Sequence, residues 1–560
     1  MKHGGTWTAV LAAALAATAA PAQEALPDGV ARQVDRVFAA VDRPGSPGCA
    51  VGVYRRGVLA YARGYGSANL ELGVPNGPAT SFYLSSTAKQ FTAASVWLLA
   101  LQGRLRLDAP VRTYLPELPD YGTPITLRHL LHHTSGLRDY IDLQQLGGHP
   151  PEEVSTSEAA VRLVLRQRGL NFAPGSRFQY ANSNYLLLSE VVRKVTGQAL
   201  PDFARARFFE PLGMRSTAFV ADPRALVPGR ASGYAPRDGG TFENAFAHAV
   251  RIGPGGAYST VEDLARWDAN FYTGAVGGRA LVDSLVVPGR LSNGRVLEYA
   301  SGLMLGTFRG LPTVSHSGNS GVYRSELIRF PTEETSVAVL CNVGAPQAPQ
   351  LAEQVAAVVL AGRLQPERPA AAPPPPPSVP PAGLAADTGH FWNPSSAEVR
   401  RLRLRTGQML YDIDAWSRAR LTPLGGGRYR FGPNEVRVSG ARPARRLVVS
   451  WADGRRETYR EFVPPNGQAP LPGQTGCYRS AELEVEYRLA ARGESLVLAR
   501  PNQEERILAP VTRDVYSEGT VRLRFTRDAR GRVAGFTFGE GDVDGIGFRA
   551  WPCFDGEGTR

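Results

Sequence analysis

The chain has 560 residues, 43% hydrophobic and 20% charged, with 63 Lys and Arg against 51 Asp and Glu for a net charge of +12. That length exceeds one ordinary domain, and the composition excludes a fibrous or wholly disordered protein. The basic residues are scattered arginines with no stripe or aromatic-basic motif, so no nucleic-acid partner is expected.

At the start, Lys2 and His3 precede the apolar run Ala9 to Ala17, and Ala20-Pro21-Ala22 has the small-x-small pattern of a signal-peptidase site. Residues 1–22 therefore read as a secretory signal, and the mature protein as exported, either periplasmic or secreted by a bacterium. The run is shorter than the ~20 residues that span a bilayer, and no later stretch reaches that length, so no transmembrane segment is expected. Val30, Val34, Val37, Phe38 and Val41 then recur at helical spacing up to the break at Pro44-Gly45. A hairpin follows, pairing Cys49 to Tyr54 with Val58 to Gly64 across Arg55-Arg56-Gly57.

Leu84-Ser85-Ser86-Thr87-Ala88-Lys89 opens a helix that is apolar on almost every side up to Gly103, and such a helix belongs in a core. Ser86 and Lys89 stand three residues apart, which puts hydroxyl and amine on one face. A serine hydroxyl attacks only when a base takes its proton, and a lysine is a base only where its surroundings lower its pKa. A buried helix start supplies that condition. Ser85 fails the same test, because its partner three residues on is Ala88. Lysine occurs only at Lys2, Lys89 and Lys194. Arginine cannot lose its proton, so a lysine kept in this apolar helix points to an amine that must. The structural alternative is a snorkelling lysine beside a capping serine.

From Asp108 to about Tyr272 the pattern is mostly helical, with helices expected at Leu127 to His133, Ser157 to Arg168, Ser183 to Thr196 and Thr260 to Phe271. Strands resume at Gly302 to Thr307, Thr313 to Ser317, Arg324 to Phe330 and Ser336 to Cys341, and a helix from Ala348 to Ala361 closes the unit. Strands at both ends with helices between them imply an α+β unit at 23–367, an antiparallel sheet beside a helical lobe. His129, His132 and His133 share a helical face, but no carboxylate or cysteine completes a ligand set, so no metal is expected.

Pro373 to Pro377 marks a semi-rigid linker over 368–383. Two similar stretches follow, opening on Thr388-Gly389-His390-Phe391 and Thr475-Gly476-Cys477-Tyr478. Eight strand-like runs in each, the first set beginning at His390, Glu398, Met409, Arg418, Tyr429, Glu435, Leu447 and Glu457, suit two small antiparallel eight-stranded β-barrels at 384–466 and 467–560. One larger sandwich or barrel is the alternative. Cys477 and Cys553 open and close the last module and are expected to be bonded, whereas Cys49 and Cys341, in apolar strand-like runs, read as buried free thiols.

Three short elements stand in order along the first unit: Ser86-x-x-Lys89, Tyr180-x-Asn182 and His316-x-Gly318. With the supporting segments Ile125 to Leu137 and Gly253 to Leu264, they make the sequence resemble the penicillin-recognising serine hydrolases, which include class C β-lactamases, D-alanyl-D-alanine carboxypeptidases and D-aminopeptidases. The resemblance implies a β-lactamase/transpeptidase-like fold without cofactor. It makes Ser86 the acylated nucleophile, with Lys89 and Tyr180 handling the proton. Asn182, His316, Ser317, Gly318 and Asn319 would bind substrate, and the backbone N–H groups of Ser86 and Asn319 would form the oxyanion hole. His316 in place of lysine departs from the β-lactamase pattern and matches the peptidase branch. The two trailing barrels resemble the D-aminopeptidase arrangement, in which a loop of the last barrel reaches the active site. The expected function is therefore an acyl-enzyme hydrolase of short peptides or amides containing D-residues. An esterase or weak β-lactamase on the same scaffold, or a non-catalytic envelope-binding protein, remain the alternatives.

Overall fold

The computed structural model describes residues 25–149, 156–222, 224–245, 251–345, 347–366, 381–412, 418–452, 455–465 and 469–553. The signal segment 1–22 and linker residues 368–380 lie outside the described residues. Residues 381–383, expected to finish the linker, instead begin a short helix, Pro381–Ala386.

Six strands form the central antiparallel sheet: β1 (Cys49–Arg55), β2 (Val58–Tyr65), β3 (Met304–Phe308), β4 (Leu311–Ser320), β5 (Tyr323–Phe330) and β6 (Thr335–Cys341), in the order β3-β4-β5-β6-β1-β2. The helices that frame it and the site are α1 (Asp28–Val37), α2 (Lys89–Leu101), α3 (Leu127–Leu131), α4 (Tyr140–Leu146), α5 (Ser157–Leu165), α6 (Asn182–Thr196), α7 (Val261–Thr273) and α8 (Ala348–Val359). Every residue of β6 is buried, because helices cover both faces of the sheet. On one face, Val34 of α1, Phe38 just beyond its end, and Leu351 and Val355 of α8 pack on Val51, Val53, Val337 and Val339. On the other, Phe91 of α2 and Trp267 of α7 share a core with Tyr54, Leu327, Ala338 and Leu340. Each such side chain contributes roughly 1.5–3 kcal/mol on leaving water. A buried ion pair, Arg329 to Asp268 at 2.8 Å, ties α7 to the sheet, and Ser336 also donates to Asp268.

The free-thiol expectation for Cys49 and Cys341 is wrong. Pairing of β1 with β6 sets them directly opposite with Cα atoms 4.0 Å apart, and they are joined in a disulfide. Strand periodicity marks both as buried, but a partner 292 residues away is chosen by register.

Glu326 of β5 is 5% exposed, and burial, with Glu353 nearby, raises its carboxyl pKa from 4.5 to about 8. A raised acid binds its proton more tightly folded than unfolded, so stability falls as pH rises from about 4.5 to about 8 and levels off above. Glu326→Gln is therefore expected to raise Tm by several degrees at pH 8.5 and to leave it unchanged at pH 4.5. A gain independent of pH in a thermal melt series would contradict this.

The first C-terminal module differs from the expected eight strands. The single run counted at Arg418 is two strands, Arg418–Arg420 and Thr422–Gly425, bent at Leu421, whose side chain turns into the core. One pairs with Gln408–Asp412 and the other with Arg428–Phe431, so they form the two edges of a nine-stranded, nearly closed sheet. The second module is a closed barrel of eight strands from Gly476–Ser480 to Val543–Trp551, and a Cys477–Cys553 disulfide joins its ends. The two modules are separate sheets, which removes the single larger barrel as an alternative. Among the described residues, no helix is long and apolar enough to cross a membrane.

Candidate active site around Ser86

Ser85 has a left-handed backbone (φ 51), and it turns the chain from the short strand Phe82–Tyr83 into a single tight turn, Ser85–Ala88, that runs directly into α2. Ser86 sits half-buried on this turn, and Lys89 is fully buried one turn on. The turn is held against the sheet by Thr87 Oγ1, which donates to the His316 carbonyl (3.0 Å), and by Ser325 Oγ, which donates to the Leu84 carbonyl (2.7 Å). Gly318 of β4 allows this approach, since a Cβ there would lie 2.2 Å from Leu84 O and 2.3 Å from Ser325 Oγ. Any side chain at 318 would push β4 off the turn.

Lys89 Nζ lies 2.9 Å from Ser86 Oγ, 2.9 Å from Asn182 Oδ1 and 2.8 Å from the Pro254 carbonyl. The last two atoms can only accept. A neutral amine, with two hydrogens and one lone pair, therefore gives both hydrogens to them and turns its lone pair to the serine hydroxyl. Burial lowers the lysine pKa from 10.5 to about 7, and the Asp139 charge opposes the fall. Tyr180 covers the amine, its ring centroid 4.8 Å from Nζ, and the Ser86 hydroxyl beside it opposes the rise that burial gives the phenol pKa. Burial pushes the Tyr180 pKa up, so the phenol keeps its proton at neutral pH while the amine can release one.

Asn182 begins α6, and its side chain bridges Lys89 to Asp139: the Asn182 backbone N (2.7 Å) and Nδ2 (2.9 Å) both donate to Asp139 Oδ2. Asp139 also caps α4, its Oδ1 accepting from Ile141 N at 3.0 Å. Burial raises the Asp139 pKa, and these N–H donors pull against it. Sequence reading missed Asp139. It stands two residues beyond the segment ending at Leu137, and the signal available was an aspartate immediately before a short apolar helix.

His316 does not face solvent. It is 3% exposed, its Nε2 lies 3.1 Å from Tyr299 Oη, and its Nδ1 lies 2.6 Å from the Ser317 carbonyl. Tyr299 Oη also lies 3.2 Å from His133 Nε2, while His133 Nδ1 accepts from Ala181 N at 3.2 Å. These contacts set the tautomers. The proton of His133 is on Nε2 and points to Tyr299, the Tyr299 proton points to His316 Nε2, and His316 Nδ1–H points to its neighbour's carbonyl. Burial and the Lys89 charge lower the His316 pKa to about 3, so it is neutral. Of the three histidines at 129, 132 and 133, His129 Nδ1 accepts from Thr126 N to close the cap of α3, His133 joins Tyr299, and His132 Nε2 is buried without a hydrogen-bond partner. Ser317, Gly318 and Asn319 lie on β4 beyond Ser315, where its pairing with β3 ends, so this edge runs open past Ser86.

A turn-borne serine beside a buried lysine, a tyrosine over both and a strand edge alongside, on an antiparallel sheet with a helical lobe, make a β-lactamase/transpeptidase-like fold. A family model described as Beta-lactamase matches residues 34–361, and the chain belongs to that family. Among its relatives, the D-aminopeptidase of Gluconobacter oxydans (strain 621H) is 32% identical over 327 residues, covering 58% of this chain and 60% of that protein. The D-aminopeptidase of Cereibacter sphaeroides (strain ATCC 17029 / ATH 2.4.9) is 29% identical over 494 residues, covering 85% and 88%. The match with the Gluconobacter protein thus spans about three fifths of its length, whereas the Cereibacter match runs into the barrels. In overall fold the chain resembles the octameric penicillin-binding protein homologue from Pyrococcus abyssi, with a TM-score of 0.53 at 20% identity over 86% of this chain and 99% of that one.

Proposed function

We propose that the protein is an exported serine hydrolase of D-aminopeptidase type, acting through an acyl-enzyme on short peptides or amides that carry a D-residue and a free amine. The observation that carries this reading is the 2.9 Å contact between Ser86 Oγ and a lysine whose pKa is lowered to about 7. In the reaction, Lys89 takes the Ser86 proton as Oγ bonds to the substrate carbonyl carbon. The oxyanion is held by the backbone N–H groups of Ser86 and Asn319. The proton passes from Lys89 through the Tyr180 hydroxyl to the leaving nitrogen, and the C–N bond breaks. Water then repeats the sequence on the ester and frees Ser86.

Two features favour an amine-bearing substrate. Asp142, one helical turn from Asp139, has its pKa raised to about 7 by burial and by the charges of Asp139, Asp542 and Glu540, the last two at the hairpin that joins the final two barrel strands. An entering ammonium group would relieve that repulsion. Gln179, next to Tyr180, donates to the Asp542 carbonyl at 3.1 Å, which supports a role for this turn at the rim of the proposed site. Export is supported by the small-x-small pattern at Ala20-Pro21-Ala22 and by two disulfides, which suit an oxidising compartment.

The test is one assay series with D-alanine p-nitroanilide, L-alanine p-nitroanilide, an acylated D-Ala-D-Ala peptide, a p-nitrophenyl ester and nitrocefin. The D-anilide is expected to turn over at least tenfold faster than its L-isomer and faster than nitrocefin. Turnover of the ester alone would defeat the peptidase reading.

A further inference from the structure

We propose that Glu482 of the C-terminal barrel, acting through Arg138, and the barrel's grip on α4 position Asp139 and hence Asn182. This deepens the hydrolase reading above and rests on it only for the kinetic arm of the test.

Arg138 immediately precedes Asp139, and its side chain is 2% exposed. Its Nη1 donates to Glu482 Oε2 (2.7 Å) and to Gln167 Oε1 (2.9 Å). Glu482 also accepts from Arg168 N (2.8 Å) and, within its own barrel, from Gly547 N (3.0 Å), so one carboxylate takes donors from both units. On the other side of Asp139, Leu143 and Leu146 of α4 belong to the same apolar cluster as the barrel residues Leu483, Tyr487 and Phe548. Tyr487 Oη donates to the Leu146 carbonyl (2.7 Å), and Asn502 Nδ2 donates to the Gly148 carbonyl (2.9 Å). A seven-residue helix has too few internal hydrogen bonds to hold itself. The barrel thus supplies both anchors between which Asp139 is suspended. Ser183 carries the same fix into α6, since its Oγ donates to the Arg138 carbonyl (2.7 Å) and accepts from Tyr140 N (2.8 Å).

The competing account is a buried inter-unit ion pair that contributes to stability alone. Lys89 separates the two. The groups around its amine are Asp139, Tyr180, Tyr185, His133 and His316. Burial keeps both histidines neutral and both phenols protonated, so Asp139 is the charge that acts on the amine at neutral pH. A shift of Asp139 away from Asn182 therefore moves the Lys89 titration downward. It also misplaces Asn182, and a displacement of about 1 Å at a positioning group costs on the order of a hundredfold in rate.

The test uses the full-length protein labelled with 13Cε-lysine. With lysine only at positions 2, 89 and 194, the Lys89 signal is resolved by comparison with Lys89→Arg. In Glu482→Gln the Lys89 titration is expected to fall by at least 0.5 pH unit, about a threefold change in proton affinity. Labelling of Ser86 by a fluorophosphonate at pH 9, where Lys89 is neutral in both proteins, is expected to slow about tenfold, and Glu482→Asp to recover part of both. Tyr487→Phe, which removes one hydrogen bond and keeps the ring, is expected to shift the titration in the same direction by a smaller step, and it carries the test if Glu482→Gln fails to fold. A folded variant whose Lys89 titration and labelling rate match the wild type overturns the proposal. A wild-type protein that shows the Lys89 shift between variants yet never labels at Ser86 overturns the hydrolase reading and leaves the coupling standing.

Discussion

Ser86→Ala is expected to lower kcat/KM for the D-alanine anilide by about 10⁴- to 10⁶-fold and to abolish fluorophosphonate labelling, while Tm stays within about a degree. The loss is large because, among the described residues, no second hydroxyl hydrogen-bonds the lysine: Ser85 Oγ is buried without a hydrogen-bond partner, and the Lys89 partners are Ser86, Asn182 and Pro254. Knocking out a nucleophile in a serine hydrolase removes nearly all of the chemical step and leaves only what binding and the oxyanion donors supply. The fold is spared because the Lys89 amine keeps two acceptors, and a lost methyl-sized hydroxyl leaves no cavity on a half-open turn. Retention of a tenth of the wild-type rate, measured on protein free of wild-type contamination, would remove Ser86 from the mechanism.

Lys89→Arg is expected to cost about 10³- to 10⁴-fold, near the upper range for losing a general base. Charge and length are roughly kept, but a guanidinium does not deprotonate, and its planar fork does not reproduce three contacts radiating from one nitrogen. The pH profile isolates the cause. The proposed mechanism works with a neutral amine, so with the Lys89 pKa lowered to about 7, log kcat/KM should rise with unit slope below pH 7 and flatten above. Tyr180 adds no falling limb in the neutral range, since burial holds its phenol above the ordinary value. In Lys89→Arg the unit-slope limb should disappear from the residual rate. A limb that persists unchanged would assign it to another group, Asp142 being the nearest with a pKa raised to about 7.

The His133–Tyr299–His316 line adds a constraint on how the open strand edge is used. His316 is neutral and committed to Tyr299, so it presents no cation to a substrate carboxylate. In the proposed reaction, recognition along β4 would then fall to Ser317 and Asn319, the half-buried and exposed residues beside it. That agrees with a substrate bearing an amine rather than one presenting a carboxylate to the strand.

Several features follow from residues close together in the chain. The i, i+3 relation of Ser86 and Lys89 is set by one helical turn. The apolar helix behind them, the hairpin at Arg55-Arg56-Gly57, the helical lobe between two groups of strands and the eight short strands of the last module are likewise written in local periodicity and turn residues. Other features depend on what lies opposite in space. The Cys49–Cys341 bond comes from the register of β1 on β6, and the split strand at Leu421 comes from one side chain turning into a closing sheet. Asp139 behind Asn182, Tyr299 between two histidines and Glu482 under Arg138 join segments separated by tens to hundreds of residues. The sequence alone determined that Ser86 and Lys89 share one face, because spacing within a turn is a property of the backbone. The tertiary structure decided their protonation and aim, because both depend on burial and on partners that only long-range packing brings within hydrogen-bond distance.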